Sequence, residues 1–191
     1  MTRSLLSALT VCGIAELDVQ TTRGVTDVLS LLDPDMPDPP GFAAWPEHRR
    51  TLLRFHDEIE PKPGIVLPAP EHIDAILAYG RAFERHPGEK HLLVHCHMGM
   101  SRSTAAMAAL IAQAEPRTDA DTIFERVFAI RQRSWPNSLM VRMADDALGR
   151  GGSLVMGMRR LYGRQLVNFP TYGQSLRTIG RGVEVDLAIQ A

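Results

Sequence analysis

The sequence predicts an α/β fold in which helices flank a central, mainly parallel sheet of four to five strands. Three observations favour this class. Short apolar segments of strand length alternate with proline-rich turns in the first half of the chain. Residues 91–95 are apolar at their centre, as in a strand covered on both faces. Helical patterns dominate the second half, and 191 residues with 45% hydrophobic content suit one domain with a real core.

Four segments have the composition of strands. Residues 25–32 are apolar and partly β-branched, and the proline-rich run 33–41 ends them. Residues 9–15 allow a second interpretation, because Arg3 and the apolar stretch after it resemble a short signal peptide. We favour a strand, since no clear cleavage site of small residues is followed by a polar mature start. The expected strands are residues 9–15, 25–32, 51–55 and 91–95.

Five helices are expected in the remaining sequence. The segment after the fourth strand is apolar around almost its whole circumference, which predicts a helix buried at the centre of the molecule. Thr118 is a candidate cap for the following helix, and Pro136 and Asn137 open the next one, which glycines end. The expected helices are residues 71–85, 102–113 and 119–133, a fourth between 136 and 149, and a fifth over 153–165.

The C-terminal part differs in charge from the rest of the chain. We expect a main domain over residues 1–150, with the helix and arginine-rich tail of 151–191 packed on it or extending it. Between Gly149 and Gly182 the chain has six arginines and no acidic residue. One interpretation is a solvated helix face followed by a loose tail. The other is an accessory surface for an acidic partner or a polyanionic substrate.

Charge and cysteine content exclude several classes of protein. The net charge is −1, so the chain as a whole is not a binder of polyanions and we expect no nucleic-acid partner. Cys12 and Cys96 are too few for a disulfide framework, which favours a reducing compartment, the cytoplasm. No stretch reaches the ~20 apolar residues of a membrane helix. The sequence leaves the oligomeric state open.

The densest group of reactive residues is the segment His95-Cys96-His97-Met98-Gly99-Met100-Ser101-Arg102-Ser103. It follows a predicted strand and precedes the apolar helix, so its middle forms a tight loop. Such a loop can turn its backbone N–H groups towards one point, with the positive end of a helix dipole behind them. Gly99 permits that turn, because a Cβ would restrict the backbone. The segment therefore predicts an anion site.

Cys96 and Arg102 indicate an attack on phosphorus. A helix N-terminus and a nearby arginine favour the thiolate, which is the nucleophilic form of a cysteine. The planar guanidinium of Arg102 matches two phosphate oxygens, and on a buried helix it would otherwise be an uncompensated charge. Inert packing of Cys96 in the core is the alternative. The expected phosphate-binding residues are His97, Met98, Gly99, Met100, Ser101 and Arg102.

These nine residues resemble the signature of the cysteine-dependent protein tyrosine and dual-specificity phosphatases, H-C-x5-R-[ST], with every defining position filled. The resemblance implies a dual-specificity-phosphatase-like fold over roughly residues 8–148. It implies that Ser103 hydrogen-bonds the cysteine sulfur and helps it to leave. It also implies that His95 supports the cysteine through a hydrogen-bond network.

The resemblance further implies an aspartate on a loop upstream of the cysteine, after a strand, as the general acid. Asp57 follows the third predicted strand and occupies the corresponding place. It lies farther from Cys96 than in compact members of the family, a difference that the proline-rich segment 61–70 can absorb. Glu58 and Glu60 are rivals, and all three acids could also be surface charge.

The mechanism that the resemblance implies has two steps and needs no metal or other cofactor. Cys96 attacks phosphorus to form a phosphocysteine while Asp57 protonates the leaving oxygen. Asp57 then acts as a base on the water that releases phosphate. His95 and His97 flank Cys96, but successive strand residues alternate between faces, so the three form a poor metal site.

We expect the substrate to be a phosphotyrosine, another phosphoprotein side chain or a small phosphate ester. A phosphoinositide or other non-protein substrate is the alternative, although the loop lacks the lysines that lipid-directed relatives place there. An alternative of another class is a catalytically silent phosphate-binding module. Phe42 and Trp45, beyond the proline-rich loop, either pack at the domain edge or form a wall of the substrate cleft.

Overall fold

The computed structural model describes residues 8–189, in which four parallel strands form one sheet in the order β1-β4-β2-β3. The predicted α/β class with a parallel sheet is thereby confirmed. β1 also supports a strand for residues 9–15, whereas Arg3 lies outside the described residues. The strands are β1 Ala8–Gly13, β2 Asp27–Leu32, β3 Arg49–Arg54 and β4 His91–Cys96.

Seven α-helices are found within residues 8–189, and the first five match expected helices. Two short helices occupy the stretch after position 170, where the sequence has weak periodicity. The helices are α1 Pro70–Arg85, α2 Arg102–Ala114, α3 Ala120–Ile130, α4 Ser138–Ala147, α5 Ser153–Asn168, α6 Tyr172–Thr178 and α7 Gly182–Asp186.

The bounds of α3 differ from the prediction at both ends. Its cap is Asp119 rather than Thr118, because the Asp119 carboxylate accepts the N–H of Thr122 at 2.9 Å. The helix ends at Ile130, not at position 133. The chain then leaves the helix to meet the loop after β4, where the backbone N–H of Trp135 donates to the carbonyl of Met100 at 2.8 Å.

The main core forms around α2, as the sequence predicts. Every residue of this helix from Arg102 to Ala112 is buried, and the helix packs against β4, α1, α3 and α4. A smaller cluster around Cys12, Leu17 and Leu93 forms separately from this core. Phe42 and Trp45 pack against that smaller cluster, with ring centroids 5.0 Å apart. These contacts favour the domain edge, not a cleft wall, for both aromatic residues.

The arginines of the C-terminal part are bound within the chain itself. Arg160, Arg164 and Arg177 form ion pairs on the surface, Arg150 and Arg159 donate to backbone carbonyls, and Arg181 is buried. These contacts do not fit a loose tail, whereas an accessory surface for an acidic partner or a polyanionic substrate stays a prediction. Among the described residues, none of the helices has the length and apolar character needed to cross a membrane.

Candidate functional site

The loop after β4 lies against the end of β1. β1 and β4 are paired so that Gly13 lies opposite Cys96, and the N–H of Ile14 donates to the carbonyl of His97 at 3.0 Å. Gly99 has a φ of +68°, and a Cβ there would come within 2.4 Å of the carbonyl carbon of Cys12. Only glycine satisfies both the left-handed backbone and this close approach.

Donors from two other segments bind the carbonyls of the same loop. The N–H of Trp135 and the hydroxyl of Thr104 reach the carbonyl of Met100, and Arg131 Nη2 donates to the carbonyl of Met98 at 3.0 Å. The carbonyls of His97, Met98 and Met100 thus have partners on the protein side. This fixes the peptide planes and with them the directions of the N–H groups.

The N–H groups of the loop have no such partners. Within residues 8–189, none of the five backbone N–H groups of positions 97–101 donates a hydrogen bond. Five consecutive N–H groups without a partner, directly before the N-terminus of α2, are what the predicted anion site requires. His97 and Met98 are exposed at its rim, whereas Gly99 and Ser101 are buried.

Cys96 lies at the base of this loop. Cys96 is 1% exposed, and its Sγ lies 3.2 Å from the hydroxyl oxygen of Ser103 in the first turn of α2. Cys12 packs in the smaller cluster instead, where burial raises the pKa of its thiol to about 12. Both cysteines are free, and Cys96 is the one that directly precedes the row of N–H groups in the chain.

Arg102 is fixed by one edge of its guanidinium. Its Nη1 donates to Asp33 at 2.6 Å and to the carbonyl of Phe55 at 2.5 Å, and the residue is 2% exposed. Within residues 8–189, neither Nε nor Nη2 donates a hydrogen bond. The paired Nε and Nη2 donors therefore remain available for two oxygens of one anion.

His95 is buried beside this site. Its Nε2 lies 2.7 Å from the hydroxyl oxygen of Ser30, which also accepts a hydrogen bond from Arg50. Burial lowers the pKa of His95 to about 4, and the charge of Arg50 adds to this effect. The imidazole is therefore neutral at neutral pH and acts as a hydrogen-bonding group within the sheet.

Asp57 contacts the loop directly. Its Oδ1 accepts hydrogen bonds from the hydroxyl of Ser101 at 2.7 Å, from Asn137 Nδ2 at 2.9 Å and from Arg181 Nη1 at 3.3 Å. Its rivals are placed differently, because Glu58 pairs with Lys62 at 2.6 Å and Glu60 is exposed. Of the three acids, Asp57 is the one bonded to the loop.

Four residues of this site were not identified from the sequence as part of it. Asp33 and Ser30 hold Arg102 and His95, and Asn137 and Arg181 hold Asp57. Asn137 also caps α4, the only role that its sequence context indicates. No local spacing connects Arg181 with Asp57, since 124 positions separate them.

No metal site competes with this arrangement among the described residues. Within positions 8–189, no group of three or more histidine, cysteine, aspartate or glutamate side chains could hold a metal ion. The side chains brought together are instead a thiol, a guanidinium, a carboxyl and a hydroxyl. They suit covalent chemistry on an anion.

Comparison with known proteins relates this geometry to a fold. No protein-family model matches the chain, and no curated protein matches it. Human DUSP28 is similar in structure, with a TM-score of 0.57, 17% identity, and coverage of 77% of this chain and 97% of its own. The human tyrosine phosphatase-like serine/threonine/tyrosine-interacting protein has a TM-score of 0.57 and 19% identity, covering 77% and 95%.

A third similar structure is the PTP-2 phosphatase of Cydia pomonella, with a TM-score of 0.56, 22% identity, and coverage of 74% of this chain and 86% of its own. All three comparisons cover most of both chains at low identity. The chain therefore has the fold of the dual-specificity and protein tyrosine phosphatases, the fold that its nine-residue segment led us to expect.

Proposed function

We propose that this protein is a phosphoric monoester hydrolase that acts on phosphotyrosine or other phosphoprotein side chains through a phosphocysteine intermediate. The observation that carries the proposal is the row of five free N–H groups between Cys96 and Arg102, with Asp57 bonded to the same loop. The similar solved structures support the fold on which this proposed function depends.

The first step transfers the phosphoryl group to sulfur. The Cys96 thiolate attacks phosphorus, the P–S bond forms and the bond to the leaving oxygen breaks. The loop N–H groups and the free edge of Arg102 bind the equatorial oxygens, where negative charge accumulates. Asp57 gives its proton to the leaving oxygen, which departs as an alcohol or phenol.

The second step releases phosphate. A water molecule attacks phosphorus, Asp57 takes its proton and the P–S bond breaks, returning Cys96 to the thiolate. The hydroxyl of Ser103, 3.2 Å from the sulfur, can donate to the departing thiolate. A thiolate stabilised in this way is a better leaving group, so Ser103 acts mainly in this step.

The composition of the loop favours a phosphoprotein over a lipid. His97, Met98, Met100 and Ser101 supply one weakly basic side chain before Arg102, whereas a polyphosphorylated headgroup needs several cations around it. The exposed thioether of Met98 at the rim offers an apolar contact for an aromatic ring. The free thiols also suit a reducing compartment, and we propose the cytoplasm.

The test compares aryl phosphate hydrolysis by the wild type, Cys96→Ser and Asp57→Asn across pH. We expect no turnover by the serine variant. For the asparagine variant we expect a loss in kcat of about 100-fold or more, together with loss of the basic limb of the pH profile. Cys12→Ser and Glu58→Gln are the matched controls, which should keep both rate and profile.

A substrate panel then separates the alternatives. The wild type is expected to turn over phosphotyrosine peptides faster than phosphoinositide vesicles, and the reverse order would overturn the substrate class. Full activity in Cys96→Ser would contradict the phosphocysteine mechanism. A wild type that binds phosphopeptides but hydrolyses no aryl phosphate would establish a phosphate-binding module instead.

A further inference from the structure

The C-terminal segment sends one arginine into the interior beside Asp57. Arg181 precedes α7 and is 5% exposed, unlike the surface arginines Arg160, Arg164 and Arg177. Its Nη1 donates to Asp57 Oδ1 at 3.3 Å and to the Ser101 hydroxyl oxygen at 2.8 Å. A buried guanidinium thus bridges the candidate acid and the phosphate loop.

Arg181 is itself held by a fully buried carboxylate. Its Nη2 pairs with Glu184 Oε2 at 2.6 Å, and Glu184 also accepts the indole N–H of Trp135 and the N–H of Ser138, both at 2.8 Å. Burial lowers the pKa of Arg181, but Asp57 and Glu184 outweigh it, so the pKa lies above its usual value. The guanidinium is therefore charged and fixed from both sides.

The bond from Arg181 determines the direction of the Ser101 hydroxyl. A guanidinium can only donate, so the oxygen of Ser101 must accept from Arg181. The single hydroxyl proton of Ser101 is then free to point at Asp57 Oδ1, 2.7 Å away. Without Arg181, that hydroxyl could rotate to other acceptors and the carboxyl would lose two of its three donors.

The three donors also select which oxygen of Asp57 carries the proton. Ser101, Asn137 and Arg181 all donate to Oδ1, and among residues 8–189 no hydrogen bond reaches Oδ2. An oxygen that already accepts three hydrogen bonds has no room for a proton of its own. The acidic proton therefore belongs on Oδ2, the oxygen left free to face a leaving group.

We propose that Arg181 is a positioning residue, which orients the Asp57 carboxyl so that Oδ2 delivers its proton to the leaving oxygen of the substrate. This inference rests on the proposed hydrolase function. It assigns part of the chemistry to the C-terminal segment, which contributes no residue to the nine-residue loop.

Dependence on the leaving group distinguishes positioning from a purely structural role. A good leaving group such as p-nitrophenolate departs with little help from an acid, whereas phenolate needs the proton. Arg181→Met should therefore lower kcat for both substrates unequally: the loss for phenyl phosphate should be about tenfold or more larger than the loss for p-nitrophenyl phosphate. Arg181→Lys, which keeps the charge but lacks the planar fork, should give an intermediate ratio.

Two further variants complete the experiment. In an Asp57→Asn background, Arg181→Met should leave the ratio of the two substrates unchanged, because the acid is already absent. Arg177→Met removes an exposed arginine of the same segment, paired with Asp186 at 2.5 Å, and should match the wild type on both substrates. A cooperative thermal unfolding transition checks that each variant is folded. If Arg181→Met does not fold, the comparison of the two substrates is made with Arg181→Lys.

The outcomes separate this inference from the proposed function. Equal losses on both substrates in folded Arg181 variants would overturn the positioning role while leaving the hydrolase intact. A wild type that hydrolyses neither substrate would overturn both proposals. A ratio that changes in Arg181→Met but also in the Asp57→Asn background would show that Arg181 acts through another group, which likewise overturns the inference.

Discussion

At the scale of single residues, His95 shows how burial selects a protonation state. The ring lies 5.4 Å from that of Phe42 and shares the hydroxyl of Ser30 with Arg50. A positive charge on His95 would face Arg50 and Arg102, both of which lower its pKa further in addition to burial. The neutral imidazole is thus required by the sheet around it.

This protonation state predicts a pH dependence of stability. The pKa of His95 is about 4 in the folded chain against 6.5 for an unperturbed histidine, so the unfolded state binds more protons between these pH values. Stability from this group is complete above pH 6.5 and declines as pH falls towards 4. Denaturant unfolding should show a loss of about 2 kcal/mol between pH 7 and pH 5 from this group.

His95→Gln removes the titrating group while retaining an amide that can reach Ser30. We expect this variant to be less stable at pH 7. Between pH 7 and pH 5 it should not show the loss in free energy of unfolding that His95 causes in the wild type. His86→Gln, at an exposed histidine, is the control and should keep the wild-type slope. Identical slopes in the wild type and His95→Gln would contradict the assignment.

At the scale of elements, the turn between α4 and α5 is stabilised from the preceding helix. Gly152 caps α5 with a φ of +88° and has no side chain to accept the first N–H groups. The buried carboxylate of Asp145 does so instead, accepting from Gly152 and Leu154 at 2.6 Å each and from Val155 at 3.3 Å. One side chain therefore joins the end of α4 to the start of α5.

We expect Asp145→Ala to reduce the free energy of unfolding by about 2–3 kcal/mol, since three N–H donors lose a charged acceptor. Equilibrium denaturation in urea measures the loss. Asp146→Ala, at the exposed neighbour, should change stability by no more than about 0.5 kcal/mol. Equal effects of the two substitutions would show that the carboxylate of Asp145 contributes no cap.

The prediction of elements from the sequence succeeded where the pattern was local. The apolar circumference of α2 and the cap at Asn137 were visible in the sequence, and the structure has both. The end of α3 was missed because residues 131–135 could continue the helix on local preference alone. They leave it because Arg131 and Trp135 bond to the carbonyls of Met98 and Met100, contacts that exist only once the chain is folded.

At the scale of the whole molecule, the strand order assembles the site. β4 lies between β1 and β2, so the loop at its end is supported by β1 on one side and approached by the segment after β3 on the other. Because this loop is assembled only in the folded chain, phosphate would bind the folded state and not the unfolded state. Its binding should therefore stabilise the protein as a whole.

Inorganic phosphate should accordingly raise the Tm. At a concentration 100 times Kd the stabilisation is about 2.7 kcal/mol, on the order of 5 to 10 °C for a chain of this size. Arg102→Lys should lose most of this shift, because an ammonium cannot match two oxygens side by side. Differential scanning fluorimetry measures both.

Sodium chloride of equal ionic strength controls for salt, and Arg160→Lys controls for the loss of a surface guanidinium. Phosphate should raise the Tm of Arg160→Lys as much as that of the wild type. An equal phosphate shift in Arg102→Lys would indicate binding elsewhere, and would contradict the anion site between Cys96 and Arg102.

The sequence by itself determined the strand, loop and helix that carry Cys96 and Arg102, because nine consecutive residues contain the thiol, the turn and the guanidinium. Local spacing was enough there. Only the tertiary structure decided how Asp57 is held, since its donors Ser101, Asn137 and Arg181 lie 44, 80 and 124 positions away. Contacts between such distant segments depend on how the sheet and helices pack, and no local pattern encodes them.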